Sequence, residues 1–500
     1  MKKATAFLAA AAMMASLAGG ALSVQAAAKT DLTIAVDADV DTLHSTDYST
    51  TVEHDILSQI YDTLMYMNPD GSHDPEPRIA ESYEISDDGL DYTFHLRNDV
   101  TFHNGTPLTA KDAKFSLELC KDSEYQGSMV TGLDSVETPD DYTVVCHLSN
   151  PYSPFMLGVC QVNIASKDYY DSSADEFATN PVGSGPYKYT GRSKGSNVTL
   201  EAYDGYYRGE APIKEVTFEV IPDQSTTAIA LQTGEVNFAT IESSTIAQLS
   251  ANPNIEIAEV ANSGFTYVSM NTEKEPFNNV KVRQAINYAI NRENLVQVCY
   301  DGEAEVNSNI CSKDRFGYSD DQFQYTYDPE KAKELLAEAG IETPYDLGEM
   351  LVAEKYSNIA TVLQSDLAAV GLNVTIAVKE FNSYIGDLTS GNYGITALEM
   401  TLDGDTQMLE MAFTSDYIGT ANNARYSDAT MDELFEKTRT ETDTDARKEL
   451  FDEILTKAQD EAIYAVIDNP LTLFAYNTDL NCPEFPYEGI YSIYDFTWAE

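Results

Sequence analysis

Carboxylates are the side chains with which this sequence could most readily do chemistry. The chain carries 82 aspartates and glutamates, and a pair of carboxylates is what glycoside hydrolases use as acid and base. No pair is singled out by its spacing, and the motifs His-Glu-x-x-His and Gly-Lys-Ser/Thr are missing from the sequence. The six histidines, at positions 44, 54, 73, 95, 103 and 147, all lie in the first third of the chain. We therefore expect that the protein is not an enzyme, with a secreted glycoside hydrolase as the alternative.

Potential metal ligands do not have the spacing that a metal site needs. Asp37, Asp39 and Asp41 begin like a calcium-binding loop, but Thr42 and Tyr48 stand where that loop needs Gly and Glu. The six cysteines contain no Cys-x-x-Cys pair; they are Cys120, Cys146, Cys160, Cys299, Cys311 and Cys482. Cys299 and Cys311 could close a short disulfide loop in an oxidising compartment. We expect no metal and no cofactor.

The first 28 residues are typical of a secretion signal. Lys2 and Lys3 precede an apolar stretch over residues 4–22, and small residues follow up to position 28. Residues 17–20 are similar to a lipoprotein signal in which Gly20 replaces the lipid-bearing cysteine. The sequence therefore predicts export to the periplasm or the cell exterior, without a lipid anchor at that position.

Composition and charge limit the partners. The formal net charge of −52 repels nucleic acid and anionic lipid surfaces, so neither is expected as a partner. This acidity could favour cationic ligands, although it also keeps an exported protein soluble. Hydrophobic residues make up 43% of the chain, which is enough for folded cores, and its length calls for two or three domains. After the signal, no stretch approaches the ~20 apolar residues of a spanning helix, so we expect no stable membrane insertion of the mature chain.

Periodicity indicates strands before about residue 270 and mainly helices after it. Alternating polar and apolar residues predict strands over 31–36, 92–96, 142–148 and 216–221. Apolar residues at i, i+3, i+4, i+7 and i+8 from Val282 predict a helix up to position 290.

The second half of the chain alternates between helix and strand. Asp328 as the N-cap, Pro329 as the first helical residue and Gly340 as the stop predict a second helix. A helix over residues 359–369 and a strand over 373–378 follow, which is the alternation of an α/β fold. The aromatic tail from residue 471 to the end is expected to pack in a core.

Five segments resemble, in this order, the family 5 extracytoplasmic solute-binding proteins, which include the oligopeptide- and dipeptide-binding components of ABC importers. They are IAESY at residues 79–83 with YTFHLRNDVTFHNGTPLTAKD at 92–112, PVGSGPY at 181–187, YDGYYRG at 203–209 with LQTGEV at 231–236, VKVRQAINYAI at 280–290, and YDPEKAKELLAEAG at 327–340. Their glycines and prolines are typical of tight turns, and we expect Arg97 and Arg283 to pair with acidic neighbours.

The resemblance implies an α/β, two-lobed fold like that of periplasmic binding proteins, with an extra β-rich domain inserted in the first lobe. The implied first lobe comprises residues 29–70, 181–270 and 476–500, the inserted domain residues 71–180, and the second lobe residues 271–475. In such a three-domain protein the ligand lies in a cleft between lobes that close by hinge bending.

The resemblance also implies candidate ligand contacts. Peptide-binding members pair the ligand's α-amino group with a carboxylate near an Asp-Pro element. Asp405 matches the aspartate of that element, Thr406 replaces its proline, and the nearby carboxylate is Asp403 instead of position 402, which is leucine. Either Asp403 or Asp405 therefore pairs with an amine, or the chain no longer binds the amino end of a peptide. Further candidates are Asn422, Asn423, Arg425, Tyr267, Met270, Asn271 and Tyr48, with Arg425 suited to clamp a carboxylate.

The function that the resemblance implies is capture of short peptides and their delivery to an ABC importer permease, by a chain expected to be monomeric. Nickel chelates, glycosides and opines remain alternative solutes within the same class. A structural or adhesive role lacks the internal repeats that would support it.

Overall fold

A computed structural model describes residues 29–67, 75–261, 264–311, 315–319, 322–400, 406–483, 485 and 491–499. The predicted secretion signal, residues 1–28, lies outside the described residues. Among the described residues, no helix is both long and apolar enough to cross a membrane.

Strands and helices alternate along most of the described chain. The strands are β1 Asp31–Val36, β2 Met65–Met67, β3 Pro75–Pro77, β4 Ala80–Ile85, β5 Asp91–Leu96, β6 Leu133–Asp140, β7 Thr143–Leu148, β8 Tyr187–Ser193, β9 Asn197–Ala202, β10 Glu215–Val220, β11 Phe238–Ile241, β12 Ile255–Ala261, β13 Phe265–Met270, β14 Ala304–Val306, β15 Tyr345–Ala353, β16 Leu372–Lys379, β17 Ile395–Met400, β18 Tyr464–Asn477, β19 Leu480–Asn481 and β20 Thr497–Trp498. The helices are α1 Thr51–Ile60, α2 Ala110–Lys121, α3 Phe155–Val159, α4 Lys167–Ser173, α5 Gln224–Thr233, α6 Ile246–Leu249, α7 Val280–Ala289, α8 Arg292–Cys299, α9 Pro329–Glu338, α10 Ser357–Ala369, α11 Phe381–Ser390, α12 Glu410–Phe413, α13 Ala429–Thr440 and α14 Thr444–Asp460. Short 3₁₀ turns lie at Gly127–Val130, Ser243–Thr245, Glu354–Tyr356, Thr406–Leu409, Ser415–Tyr417 and Ile493–Asp495.

Local sequence signals explain where these elements begin and end. The predicted strand over residues 31–36 is β1, and the other predicted strands are confirmed as β5, β7, β10 and β16. The Asp328 side chain accepts a hydrogen bond from the Lys331 backbone at 2.9 Å and so caps α9, whose first residue is Pro329. Gly340 follows α9 with a φ of 76°, a left-handed conformation that favours glycine. The predicted start and end of α9 are confirmed, because capping chemistry acts within one turn of the chain.

One strand, β18, joins the two halves of a twelve-stranded sheet. Its first part pairs with β13 and β14, and its last part pairs with β11 and β12. We call β8–β9–β10–β1–β11 with β12 the first lobe sheet, and β16–β15–β17–β13 with β14 the second lobe sheet. Each lobe sheet packs against helices around its own buried core. β18 therefore crosses from one lobe to the other without leaving the sheet.

A third, antiparallel sheet has the order β4–β5–β7–β6 and is covered by α2. Its core includes Phe94, Phe102, Leu117 and Val144. The loop that follows this sheet contacts the second lobe, because the backbone amide of Ser153 donates to the Arg439 carbonyl at 2.8 Å. The predicted domain boundaries stay a prediction, since strand pairing alone does not fix them.

The PVGSGPY turn lies against the end of α1. Its Gly185 amide donates to the Ile60 carbonyl at 2.9 Å. A Cβ atom at Gly183 would lie 2.0 Å from the Ile60 carbonyl oxygen, so only glycine fits there. The close packing of this turn on α1 therefore explains the glycines of the motif, which were predicted to form a tight turn.

Arginines of two motifs pair with acids, as predicted. The Arg97 Nη2 atom lies 2.8 Å from Asp99. The buried Arg283 side chain donates to the backbone carbonyl and the side chain of Glu461, the latter at 3.3 Å.

The suggested Cys299–Cys311 disulfide is not formed. All six cysteines are free thiols. Cys311 is fully buried with its sulfur 3.9 Å from the Phe316 carbonyl, whereas Cys299 ends α8 and is only half-buried. Short sequence separation did not bring the two sulfurs together, because α8 and the following loop direct them to different environments.

The aromatic tail packs against the first lobe sheet, as predicted. The rings of Tyr491 and Phe496 pack against Phe238 at tilted angles, with ring centroids 4.9 and 5.5 Å away. The Trp498 indole donates to the Asp31 carbonyl at 3.1 Å and so holds the end of the chain on β1.

Candidate functional site

Both lobe sheets direct the carboxyl ends of their parallel strands at the place where β18 crosses. In the first lobe these strands are β1, β10 and β11, and in the second they are β15, β16 and β17. The strand ends approach the crossing because Ile241 pairs with Leu473, and Thr266, at the start of β13, pairs with Asp468. Ligands of open α/β sheets bind in the crevice outside the carboxyl ends of the strands. We call this region the crossing cleft and treat it as the candidate site.

The first wall of the crossing cleft is the loop between β1 and α1, and Glu53 holds it in place. The buried Glu53 carboxylate accepts four backbone hydrogen bonds, from Asp41 (2.9 Å), Thr42 (3.1 Å), Ser49 (3.0 Å) and Thr50 (3.2 Å). Burial works to raise the pKa of Glu53, but these hydrogen bonds together hold it below its ordinary value. The loop is therefore fixed by one ionised side chain.

The second wall combines a cation with exposed apolar side chains. The Lys355 Nζ atom, just beyond β15, lies 3.8 Å from the Glu399 carboxylate. Burial works to lower the pKa of Lys355, but Tyr356 and Glu399 raise it above its ordinary value. Val378, near the carboxyl end of β16, and Phe381, the first residue of α11, are 51% and 53% exposed. This wall can thus accept apolar parts of a ligand.

The floor of the crossing cleft contains a buried carboxylate, Asp468. Its side chain has no exposed surface, and within the described part of the chain neither of its oxygens has a hydrogen-bond partner of good geometry. Burial raises the pKa of Asp468 to about 7; the nearby Thr266 hydroxyl works against this, and the charge of Glu399 adds to it. The carboxyl group is therefore expected to gain or lose its proton near neutral pH.

Further acids from both lobes lie along β18 beside the crossing. Glu399 is the second-last residue of β17, and Glu303 precedes β14. Burial, Glu259 of β12 and Asp301 together raise the pKa of Glu303. Since β12 belongs to the first lobe sheet and β14 to the second, carboxylates of both lobes meet at the crossing.

Sequence reasoning did not find Asp468, Glu399 or Thr266. The available signal was a single acid, Asp468, at the end of the apolar run over residues 462–467. A charge at the end of such a run is also typical of an exposed strand end, so the sequence gives no reason to expect it buried.

Two of the candidate ligand contacts, Tyr267 and Asn423, lie near the crossing, and a third, Tyr48, lies in the loop of the first wall. Tyr267 follows Thr266 in β13 and is fully buried; its hydroxyl accepts a hydrogen bond from the amide of Asn423 at 3.1 Å. Asn423 itself is half-buried. Tyr48 lies in the loop of the first wall, but its side chain is buried and burial raises its pKa. Ligand contact by these residues stays a prediction.

Four other candidates are engaged within the second lobe. Met270 and Asn271 lie at the end of β13 remote from the crossing, where the Asn271 amide donates to the carbonyls of Gly391 and Tyr393. The other two are Asn422, which donates to Thr414 (2.9 Å) and Tyr426 (2.8 Å), and Arg425, which pairs with Glu273 at 2.6 Å. These contacts favour a structural role over the predicted ligand contact, because the polar groups are already satisfied by the lobe itself.

Asp403 and Asp405, the predicted amine-binding carboxylates, lie outside the described residues. They follow directly after β17, whose carboxyl end faces the crossing cleft. Their role stays a prediction.

The alternative calcium site is not supported. Asp39 pairs with Arg192 at 2.8 Å instead of facing a cation with its neighbours. Among the described residues, no group of three or more histidines, cysteines or acids is arranged to hold a metal ion.

A separate groove of about 420 Å³ lies between α13 and α14. It is lined by Lys437, Thr440, Glu441, Ala446, Glu449, Leu450 and Glu453. All of these residues belong to one helical hairpin of the second lobe, so the groove does not join the two lobes.

Two lobes that share the strand β18, with the carboxyl ends of their parallel strands directed at its crossing, are typical of two-lobed periplasmic binding proteins. The sequence model described as bacterial extracellular solute-binding proteins, family 5 Middle, matches residues 74–423. The chain belongs to this family of ABC importer solute-binding proteins. The predicted α/β fold class and the resemblance are thereby confirmed.

Similar proteins cover most of the chain. Heme-binding protein A of Haemophilus influenzae is 30% identical over 432 residues, which is 79% of this chain and 78% of that protein. The dipeptide-binding protein of Escherichia coli K12 is 31% identical over 69% of each chain. The structure of HbpA2 from Haemophilus parasuis superimposes with a TM-score of 0.86 at 26% identity, covering 94% of this chain and all of that one. These relatives are solute-binding proteins and not enzymes.

Proposed function

We propose that this protein captures short peptides in the crossing cleft and delivers them to the membrane permease of an ABC importer. The observation that carries the proposal is the composition of the cleft, which combines the buried Asp468 and acids of both lobes beside the crossing with the exposed Val378 and Phe381 on one wall. A short peptide presents an ammonium group, amides and apolar side chains, which match these surfaces. The dipeptide-binding relative supports the same choice of solute.

The site of action in this proposal is outside the cytoplasmic membrane. The chain would act as an exported monomer in the periplasm or at the cell exterior, in line with the secretion signal that residues 1–28 predict. Nickel chelates, glycosides and opines remain the alternative solutes, and the name of one relative adds heme.

A thermal-shift panel on the protein without residues 1–28 tests the choice of solute. The protein is unfolded and refolded to remove any co-purified ligand, and is then mixed with tri- and tetrapeptides, sugars, opines, a nickel–histidine chelate or heme. A ligand at 100 times its Kd adds about 2.7 kcal/mol to the free energy of unfolding, which raises Tm visibly. We expect the peptides to raise Tm. A shift with only a non-peptide solute would keep the family role and overturn the peptide specificity.

A further inference from the structure

The Asp468 carboxylate has a place and an environment that the fold alone does not explain. It lies on β18 opposite Thr266 of β13 and Val306 of β14, at the last pairing of β18 with β13; the pairing with β14 continues to Pro470. A buried carboxylate without a donor destabilises a fold by several kcal/mol unless something compensates its charge. A hydrophobic residue at this position would avoid that cost.

The groups that face Asp468 supply no positive charge. Thr266 comes from β13, and its hydroxyl lies 3.0 Å from the Tyr300 hydroxyl at the end of α8. Asp468 in turn raises the pKa values of Cys299 and Tyr300, in each case as a contribution second to burial. From β17 the charged neighbour is Glu399, whose own cationic partner is Lys355. In the described part of the chain, the electrostatic neighbours of this carboxylate are therefore an acid, hydroxyls and the Cys299 thiol.

We propose that Asp468 receives the cationic group of the ligand, a primary ammonium, at the floor of the crossing cleft. An ammonium supplies three hydrogen-bond donors and the positive charge that this carboxylate lacks, and the hydroxyls of Thr266 and Tyr300 offer further acceptors. This inference rests on the proposed function and specifies the recognition group within the same cleft.

Access to Asp468 is linked to the movement of the lobes. The carboxylate is covered in this conformation, so a ligand reaches it when the lobes part around β18. Closure then removes the ion pair from water. A charge-assisted hydrogen bond is stronger in the less polar protein interior than in water.

The test compares Asp468→Asn with the wild type by calorimetric titration of a pool of tri- and tetrapeptides and of the same pool acetylated at the amino end. Removing one partner of a buried ion pair weakens binding by roughly 30-fold or more. We expect that loss for the free peptides with Asp468→Asn, and no further loss for the acetylated pool. Asp366→Asn is the matched control, because Asp366 is a half-buried carboxyl of the same lobe that accepts the Asn291 amide at 2.9 Å.

A pH series separates ligand pairing from a structural role. Wild-type affinity for the free peptides should fall as the pH is lowered from 7.5 to 5.5, because the carboxyl group takes up a proton while the ammonium stays charged. Asp468→Asn should lose this dependence and Asp468→Glu should keep it. Peptide binding by Asp468→Asn within twofold of wild type, with the same pH profile, would overturn the inference and leave the proposed function standing. If no peptide binds the wild type, both fall together.

Discussion

At the scale of single residues, Asp468 makes the free protein less stable at neutral pH than it would be with a neutral side chain. The carboxyl group has an ordinary pKa of 3.8 in the unfolded chain and a pKa of about 7 in the folded chain. Between these pH values only the unfolded chain gives up the proton, so the free energy of unfolding decreases as the pH rises. The loss is about 1.4 kcal/mol per pH unit and reaches about 4 kcal/mol above pH 7.

The decrease in the free energy of unfolding with rising pH gives a prediction for the ligand-free protein. Asp468→Asn cannot ionise, so its stability advantage over the wild type should grow from pH 4 to pH 7 and stay constant above pH 7, at about 4 kcal/mol. Urea unfolding at a series of pH values measures the difference. A difference that does not change between pH 4 and pH 8 would show that the carboxyl group is already neutralised by a partner in the fold.

At the scale of elements, the loop between β1 and α1 depends on one side chain for its shape. Glu53 belongs to the first turn of α1 and completes a capping box with Thr50, yet it also binds the amides of Asp41 and Thr42 at the other end of the loop. A helix cap thus also fixes a wall of the crossing cleft.

Replacing Glu53 should therefore cost more than replacing an ordinary cap. Glu53→Ala leaves four amides without their acceptor and should lower the free energy of unfolding by about 3 kcal/mol. The control is Asp223→Ala, which removes an exposed cap of α5 and should lower the free energy of unfolding by much less, because water replaces the lost acceptor. Because hydrogen bonding holds the pKa of Glu53 below its ordinary value, its contribution is present at neutral pH and is lost as the pH falls through that lowered pKa. Equal losses for the two variants in urea unfolding at pH 7 would contradict this role.

The elements themselves were largely predictable from the sequence, while the site was not. Asp328, Pro329 and Gly340 act on neighbours within one helix end, so their pattern identifies α9 directly. The floor of the crossing cleft joins Thr266, Asp468 and Glu399, which come from three strands far apart in the chain. Which residues become neighbours there depends on strand order and on the register shift between Thr266 and Tyr267. Neither leaves a local signal in the sequence.

At the scale of the whole molecule, β18 determines how the lobes relate to each other. It is paired with β13 and β14 on one side of the crossing and with β11 and β12 on the other, so bending between the lobes has to pass through this strand. A ligand that contacts both walls stabilises the closed arrangement only through the contacts it adds there.

Hydrogen exchange with and without a bound peptide tests most directly whether capture occurs in the crossing cleft. We predict that the peptide slows amide exchange in the loop over residues 37–50, at the ends of β15 and β16, and in β18 around Asp468, because these segments line the cleft from both lobes. The groove between α13 and α14 should exchange at the same rate in both states. Protection confined to residues 437–453, with no change in the segments at the strand ends, would contradict the account and place the ligand on the second lobe alone.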